Sequence, residues 1–146
     1  MRTVLILALV AGITAPMSGA VILKQPKANE VAVTVAYSGK GAVDTTHEIW
    51  VFLFDTPNIG QGVRPLAVQT IKKSGDATTF RNVTHDPVYV AVAYDDKGDY
   101  DGNLAPPPTG TPIAYYTVAS KPTAAPVKTA AGAKINLTFS DTLRMH

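Results

Sequence analysis

Five carboxylate or amide side chains fall within nine residues at 95–103, in the sequence DDKGDYDGN: Asp95, Asp96, Asp99, Asp101 and Asn103. Carboxylate and amide oxygens at this density are ligands for hard cations, and Gly98 and Gly102 would let the chain turn sharply enough for several of them to converge. Calcium suits the mixture better than zinc; an ion there would relieve repulsion among the carboxylates and order the loop. The candidate ligands are Asp95, Asp99, Asp101 and Asn103. The spacing is not that of an EF-hand. Counted from Asp95, Lys97 stands third and Tyr100 takes the sixth position, where glycine is required; counted from Asp99, Leu104 stands sixth and Gly110 takes the place of the twelfth-position glutamate. A solvated polar turn whose aspartates accept local backbone hydrogen bonds accounts for the same residues, and both readings stand. A carboxylate-based hydrolase is a third, although it needs two carboxyl groups held at a fixed separation, which a flexible turn seldom supplies.

The remaining polar residues narrow the chemistry. There is no cysteine, which excludes a thiol nucleophile, a cysteine-ligated zinc and an iron–sulfur site. His47, His85 and His146 do not have zinc-motif spacing, and Ser38, Ser74 and Ser120 lack a nucleophile elbow. A formal net charge of +2 gives no concentrated basic footprint for nucleic acid. Tyr100, flanked by Asp99 and Asp101, is expected to be exposed and, with Tyr115 and Tyr116, forms a candidate recognition surface for a glycan, peptide or small ligand. Trp50 sits inside a continuous apolar run and reads as core. Asn82-Val83-Thr84 and Asn136-Leu137-Thr138 match the glycan-acceptor pattern, which matters only in a source with the corresponding export machinery.

The elements that must position these residues are strands. Val31, Val33, Val35 and Tyr37 alternate with smaller or more polar residues, the two-residue period of a strand with one side on a core. The run HEIWVFLFD over 47–55 is apolar on both sides, so it is expected to be a central strand covered on both faces, ended by Thr56-Pro57. Further strands are expected over 66–71, 78–83 with Phe80 as core anchor, 88–94, 113–119 and 134–139. In the 88–94 strand Ala91 and Ala93 permit close approach of another layer. The segment 120–132, rich in alanine, lysine, proline and threonine, reads as a long exposed connection. Pro106-Pro107-Pro108 shapes the loop that follows the acidic turn. Seven or so strands separated by polar turns predict an all-β, two-sheet antiparallel sandwich, with a small β-barrel as the architectural alternative.

Residues 1–20 have the order of a secretory signal: Arg2, the apolar run VLILALVAGITA, then Ser18-Gly19-Ala20. The apolar core is short for a bilayer span, though a retained anchor is the alternative. Cleavage after Ala20 would leave 21–146 as a single secreted or periplasmic domain with no further membrane segment, stabilised without disulfides.

The phrases VAVTVAYSGKG, EIWVFLFDTP, TFRNV and VYVAVAYDDKGDYDG resemble exported transthyretin-like, or carboxypeptidase-regulatory-like, β-sandwiches, and the strand with its acidic turn is similar to small bacterial proteins of the DUF2141 type. The resemblance covers about 30–139. It implies an exported accessory or binding domain and supplies no enzymatic mechanism. The functional expectation is a non-enzymatic binding or accessory module whose partner is an envelope or extracellular protein or a small ligand. A structural component of an envelope or extracellular assembly, working as a homo-oligomer or through a docking edge, is the alternative.

Overall fold

The computed structural model describes residues 27–60, 62–102, 106–118 and 123–146. The expected leader lies outside these residues, as does Asn103. Among the described residues seven strands form: β1 Val31–Tyr37, β2 Ile49–Phe54, β3 Ala67–Ile71, β4 Ala77–Phe80, β5 Tyr89–Tyr94, β6 Ile113–Tyr115 and β7 Ala133–Phe139. The period-two pattern of β1 and β7 is realised directly. Val31, Val33 and Val35 are inaccessible to solvent, and Ile135, Leu137 and Phe139 are buried while Lys134, Asn136 and Thr138 between them are exposed.

The strands make two sheets, β4-β1-β7 and β3-β2-β5-β6, and no closed barrel. Every neighbouring pair is antiparallel except β1 and β7, which run parallel in register from Val31 opposite Ala133 to Tyr37 opposite Phe139. The three-stranded sheet is therefore mixed. A parallel pair needs a long crossover, and here the whole four-stranded sheet is laid down between the two strands. The inner faces meet in one core: the β1 valines and β7 residues oppose Ile49, Val51 and Leu53 of β2 and Val90, Val92 and Tyr94 of β5. Each such aliphatic side chain contributes about 1.5–3 kcal/mol on burial. Phe80 and Val83 join this core, as their sequence positions suggest.

The 120–132 connection departs from expectation. Ala124, Ala125, Val127 and Thr129 are buried, Val127 pairs with Val88 beside the start of β5, and the Ala125 amide donates to the Tyr116 carbonyl. Its alanine and lysine content suggested exposure, yet from Ala125 onward the small or apolar residues alternate with Pro126 and Lys128. A half-buried strand-like segment is enough to carry that pattern. Thr129 anchors it by donating its hydroxyl to the His85 carbonyl at 2.9 Å. Regular pairing of β6 stops at Tyr115, well short of the expected 119. Among the described residues no helix is long and apolar enough to cross a membrane.

Candidate functional site

β2 is buried on both faces, and its second face defines the site. In a two-layer sandwich the outer side of a sheet normally faces water and carries polar residues. Here it carries Trp50, Phe52 and Phe54 from β2 and Ile113 and Tyr115 from β6, with Ala91 and Ala93 of β5 between the two rows and Tyr89 of β5 beside Phe54. The register sets Phe52 beside Ala91 and Ala91 beside Tyr115, and Trp50 beside Ala93 and Ala93 beside Ile113. Two walls of large side chains thus flank an alanine floor. Ile59 and Val63 from the loop after β2, Pro106 and Pro107 from the proline loop, and Met145 close over this trough and leave an apolar cavity of about 40 Å³. Close approach of another layer over Ala91 and Ala93 is what their size suggested; the layer is made of loops.

The acidic turn adjoins the trough and has a structural task. Asp95 is buried, and its carboxylate accepts three backbone hydrogen bonds, from Gly98 at 2.9 Å, Asp99 at 3.3 Å and Tyr100 at 3.0 Å. That wraps 96–100 around one side chain, the local bonding that aspartate favours at turns. Tyr100 is thereby laid against Trp50, edge-on with ring centroids 4.8 Å apart, and near Phe52 at 6.2 Å. It is half-buried instead of exposed, and burial, followed by the charge of Asp101, pushes its hydroxyl pKa up. Gly102, at φ +68°, passes directly over the indole: a Cβ there would sit 2.2 Å from the ring. The indole Nε1 is buried with no hydrogen-bond partner among the described residues.

The sequence-derived site residues are only partly brought together. Asp95 points at amides, Asp96 pairs with Arg144 at 3.4 Å, and Asp99 and Asp101 are exposed. Among the described residues no group of three or more His, Cys, Asp or Glu side chains is placed to hold a metal ion. Tyr115 lies in the outer aromatic layer with Tyr100, whereas Tyr116 packs against the inter-sheet core, on the other face. Period-two alternation separates such neighbours in any strand.

Residues 140–146 form a clasp that carried no signal in the sequence. Asp141 accepts from the Tyr37 hydroxyl and from the Lys40 amide at 2.8 Å. Arg144 reaches Asp96, Asp141 at 3.6 Å and the Gly110 carbonyl at 2.5 Å, while Met145 exchanges backbone bonds with Gly110 and Thr111. The clasp therefore sets both the proline loop and the Met145 side chain over the trough. The Tyr37 hydroxyl and the Lys40 amide hold the Asp141 carboxyl below its ordinary value of 3.8. Burial, then Asp141 itself, pushes the Tyr37 hydroxyl above its ordinary 10.0. A depressed acid stabilises above its unfolded pKa and loses that contribution as pH falls; a raised tyrosine stabilises below its unfolded pKa and loses it as pH rises. The urea midpoint difference between wild type and Tyr37→Phe should accordingly be flat from about pH 5 to about pH 9 and shrink outside both limits. A difference that stays constant across the whole range would show that the pair does not secure the clasp.

Two further hollows are more polar. One, of about 320 Å³, lies beside the acidic turn between Thr46, Glu48, Trp50 and Tyr100. The other, of about 400 Å³, opens at the seam between the sheets near Leu66, Arg81 and His85. Glu48 is engaged by Lys72 at 3.4 Å and Arg81 by Glu30 at 3.4 Å, so neither hollow gathers a pair of uncommitted charges. His47 is bound up with Asp44, and His85 with Thr84.

The two-sheet shape is consistent with the transthyretin-like sandwich that the sequence resembles. Comparison of the chain with protein-family models, with curated proteins and with solved structures finds no match, so that consistency rests on shape alone.

Proposed function

We propose that this chain is an exported, non-enzymatic binding module that takes an aliphatic or aromatic group of a small ligand or partner into the trough on the outer face of the four-stranded sheet. One observation carries the reading: an apolar, alanine-floored channel lies where a sandwich needs only a solvated face, and loops alone cover it. Ligand pockets usually run to about 300–1,000 Å³, so admitting a guest to the cavity of about 40 Å³ requires the cover supplied by Ile59, Val63, Pro106 and Pro107 to part. The carboxylate-rich turn serves as a support, because Asp95 uses both oxygens to hold Tyr100 on Trp50. A resident calcium ion is not needed for that task.

Indole and toluene are suitable probes, being apolar and small enough for a modestly opened trough. Titration of either should shift amide resonances of β5 and β6, and toluene, which leaves the indole emission band clear, should also perturb the fluorescence of Trp50, the only tryptophan. Ala91→Leu fills the floor and should weaken both probes at least about tenfold, at a stability cost of about 1–3 kcal/mol from overpacking. Unchanged binding by that variant, or shifts confined to the polar hollows, would rule the trough out.

A further inference from the structure

β7 is the longest of the four edge strands, with seven residues against five in β3, four in β4 and three in β6. The Ala133 amide donates to the Glu30 carbonyl and the Phe139 carbonyl accepts from Ser38, which with the parallel register fixes the direction of every peptide in the strand. Odd-numbered residues 133–139 turn their N–H and C=O toward β1. Lys134, Asn136 and Thr138 turn theirs to an edge that no other described strand pairs with. Proteins protect such an edge with proline, a bulge, several charges or a covering segment. β7 has no proline, pairs with β1 without a bulge, and carries one charge, Lys134. The β6 edge, in contrast, is partly covered, because Leu143 accepts from the Ile113 amide.

We infer that the β7 edge pairs antiparallel with β7 of a second copy, about a two-fold axis through Asn136. Only registers that match even residues with even residues use the free groups, and this one uses them all: Asn136 meets its own counterpart and Lys134 meets Thr138 of the partner copy, twice over. Three pairs, each exchanging two hydrogen bonds, give six across the axis. The side chains agree with the backbone. Lys134 faces a neutral threonine instead of another lysine, and on the inner face Ile135 meets the other copy's Leu137, which extends the apolar core across the join. The surface is self-complementary, as a two-fold interface must be. Among the described residues, two of the three exposed large apolar side chains, Val118 and Leu143, flank β6, the strand that approaches β7 across the two sheets, so the same side of the sandwich supplies apolar rim. One strand pair and this rim form a small interface, which places the dissociation constant between about 10 μM and about 1 mM.

Single-cysteine variants of the full chain test this cleanly, since the protein contains no cysteine of its own. Across the axis the two Asn136 Cα atoms would lie about 5.5 Å apart, within the range a disulfide spans. The two Lys134 Cα atoms would be about 14 Å apart, beyond it. Under the same mild oxidant Asn136→Cys should cross-link at least about tenfold faster than Lys134→Cys, and sedimentation should show a concentration-dependent dimer. Asn136→Pro removes an amide that β1 does not use, so it should weaken the dimer at least about tenfold. Equal cross-linking by the two cysteine variants overturns the proposal. So does a wild-type chain that stays monomeric at about 1 mM, or dimerisation unchanged in a folded Asn136→Pro variant.

Discussion

Replacing Asp95 by alanine should destabilise the domain by about 2–4 kcal/mol, a large share of the total for a domain of this size. The side chain is buried and accepts from three amides, so truncation leaves three donors facing partly buried space without their acceptor. Asp95→Asn keeps one carbonyl oxygen and turns an amino group toward an amide donor; a loss of about 1–2 kcal/mol is expected. Both changes release the 96–100 turn and with it Tyr100, which rests on Trp50. Emission from this single tryptophan should therefore move to longer wavelength in the native baseline of a urea titration, more for alanine than for asparagine. The same titration addresses calcium. An ion bound only by the folded state would raise the wild-type midpoint in proportion to its occupancy. With the Asp95 oxygens already committed to amides, the midpoint should be unmoved by about 10 mM calcium. A calcium-dependent rise that disappears in Asp95→Ala would reassign the carboxylate to metal.

What was readable in the sequence divides along a physical line. Strands announce themselves locally, so the alternation in β1 and β7 and the two-sided apolar run of β2 led directly to the sandwich and to the burial of Phe80. Ala91 and Ala93 also gave honest notice of a close layer. Long-range geometry was not local and could not be read: nothing in VAVTVAY or AKINLTF says that these strands are parallel neighbours. Tyr100 misled because two flanking aspartates suggested water, whereas the Asp95 carboxylate draws the chain back over the sheet. Residues 140–146 have no periodic signal, and their role depends on Arg144 and Asp141 meeting partners more than thirty residues away. The segment around Val127 was hidden by its composition, although its alternation with Pro126 and Lys128 was available.

The second large effect separates the two layers of β2. Leu53→Ala, in the inter-sheet core, and Phe52→Ala, its neighbour on the outer face, remove side chains of nearly equal burial. Leu53→Ala should cost about 2–5 kcal/mol and Phe52→Ala about 3–5 kcal/mol, each the sum of lost transfer energy and residual cavity. Were the outer aromatic row an ordinary solvated face, Phe52→Ala would cost less than about 1 kcal/mol. The loop cover introduces a further distinction. Loops and clasp can settle into the space vacated by Phe52, whereas two paired sheets cannot close around a missing Leu53, so the Phe52 loss should lie at the lower end of its range. Toluene binding adds the decisive comparison: Leu53→Ala should leave it intact in the folded protein, and Phe52→Ala should change it, because one wall of the trough has gone. Equal effects of the two variants on stability combined with no effect on the probe would make the outer layer a second core and nothing more.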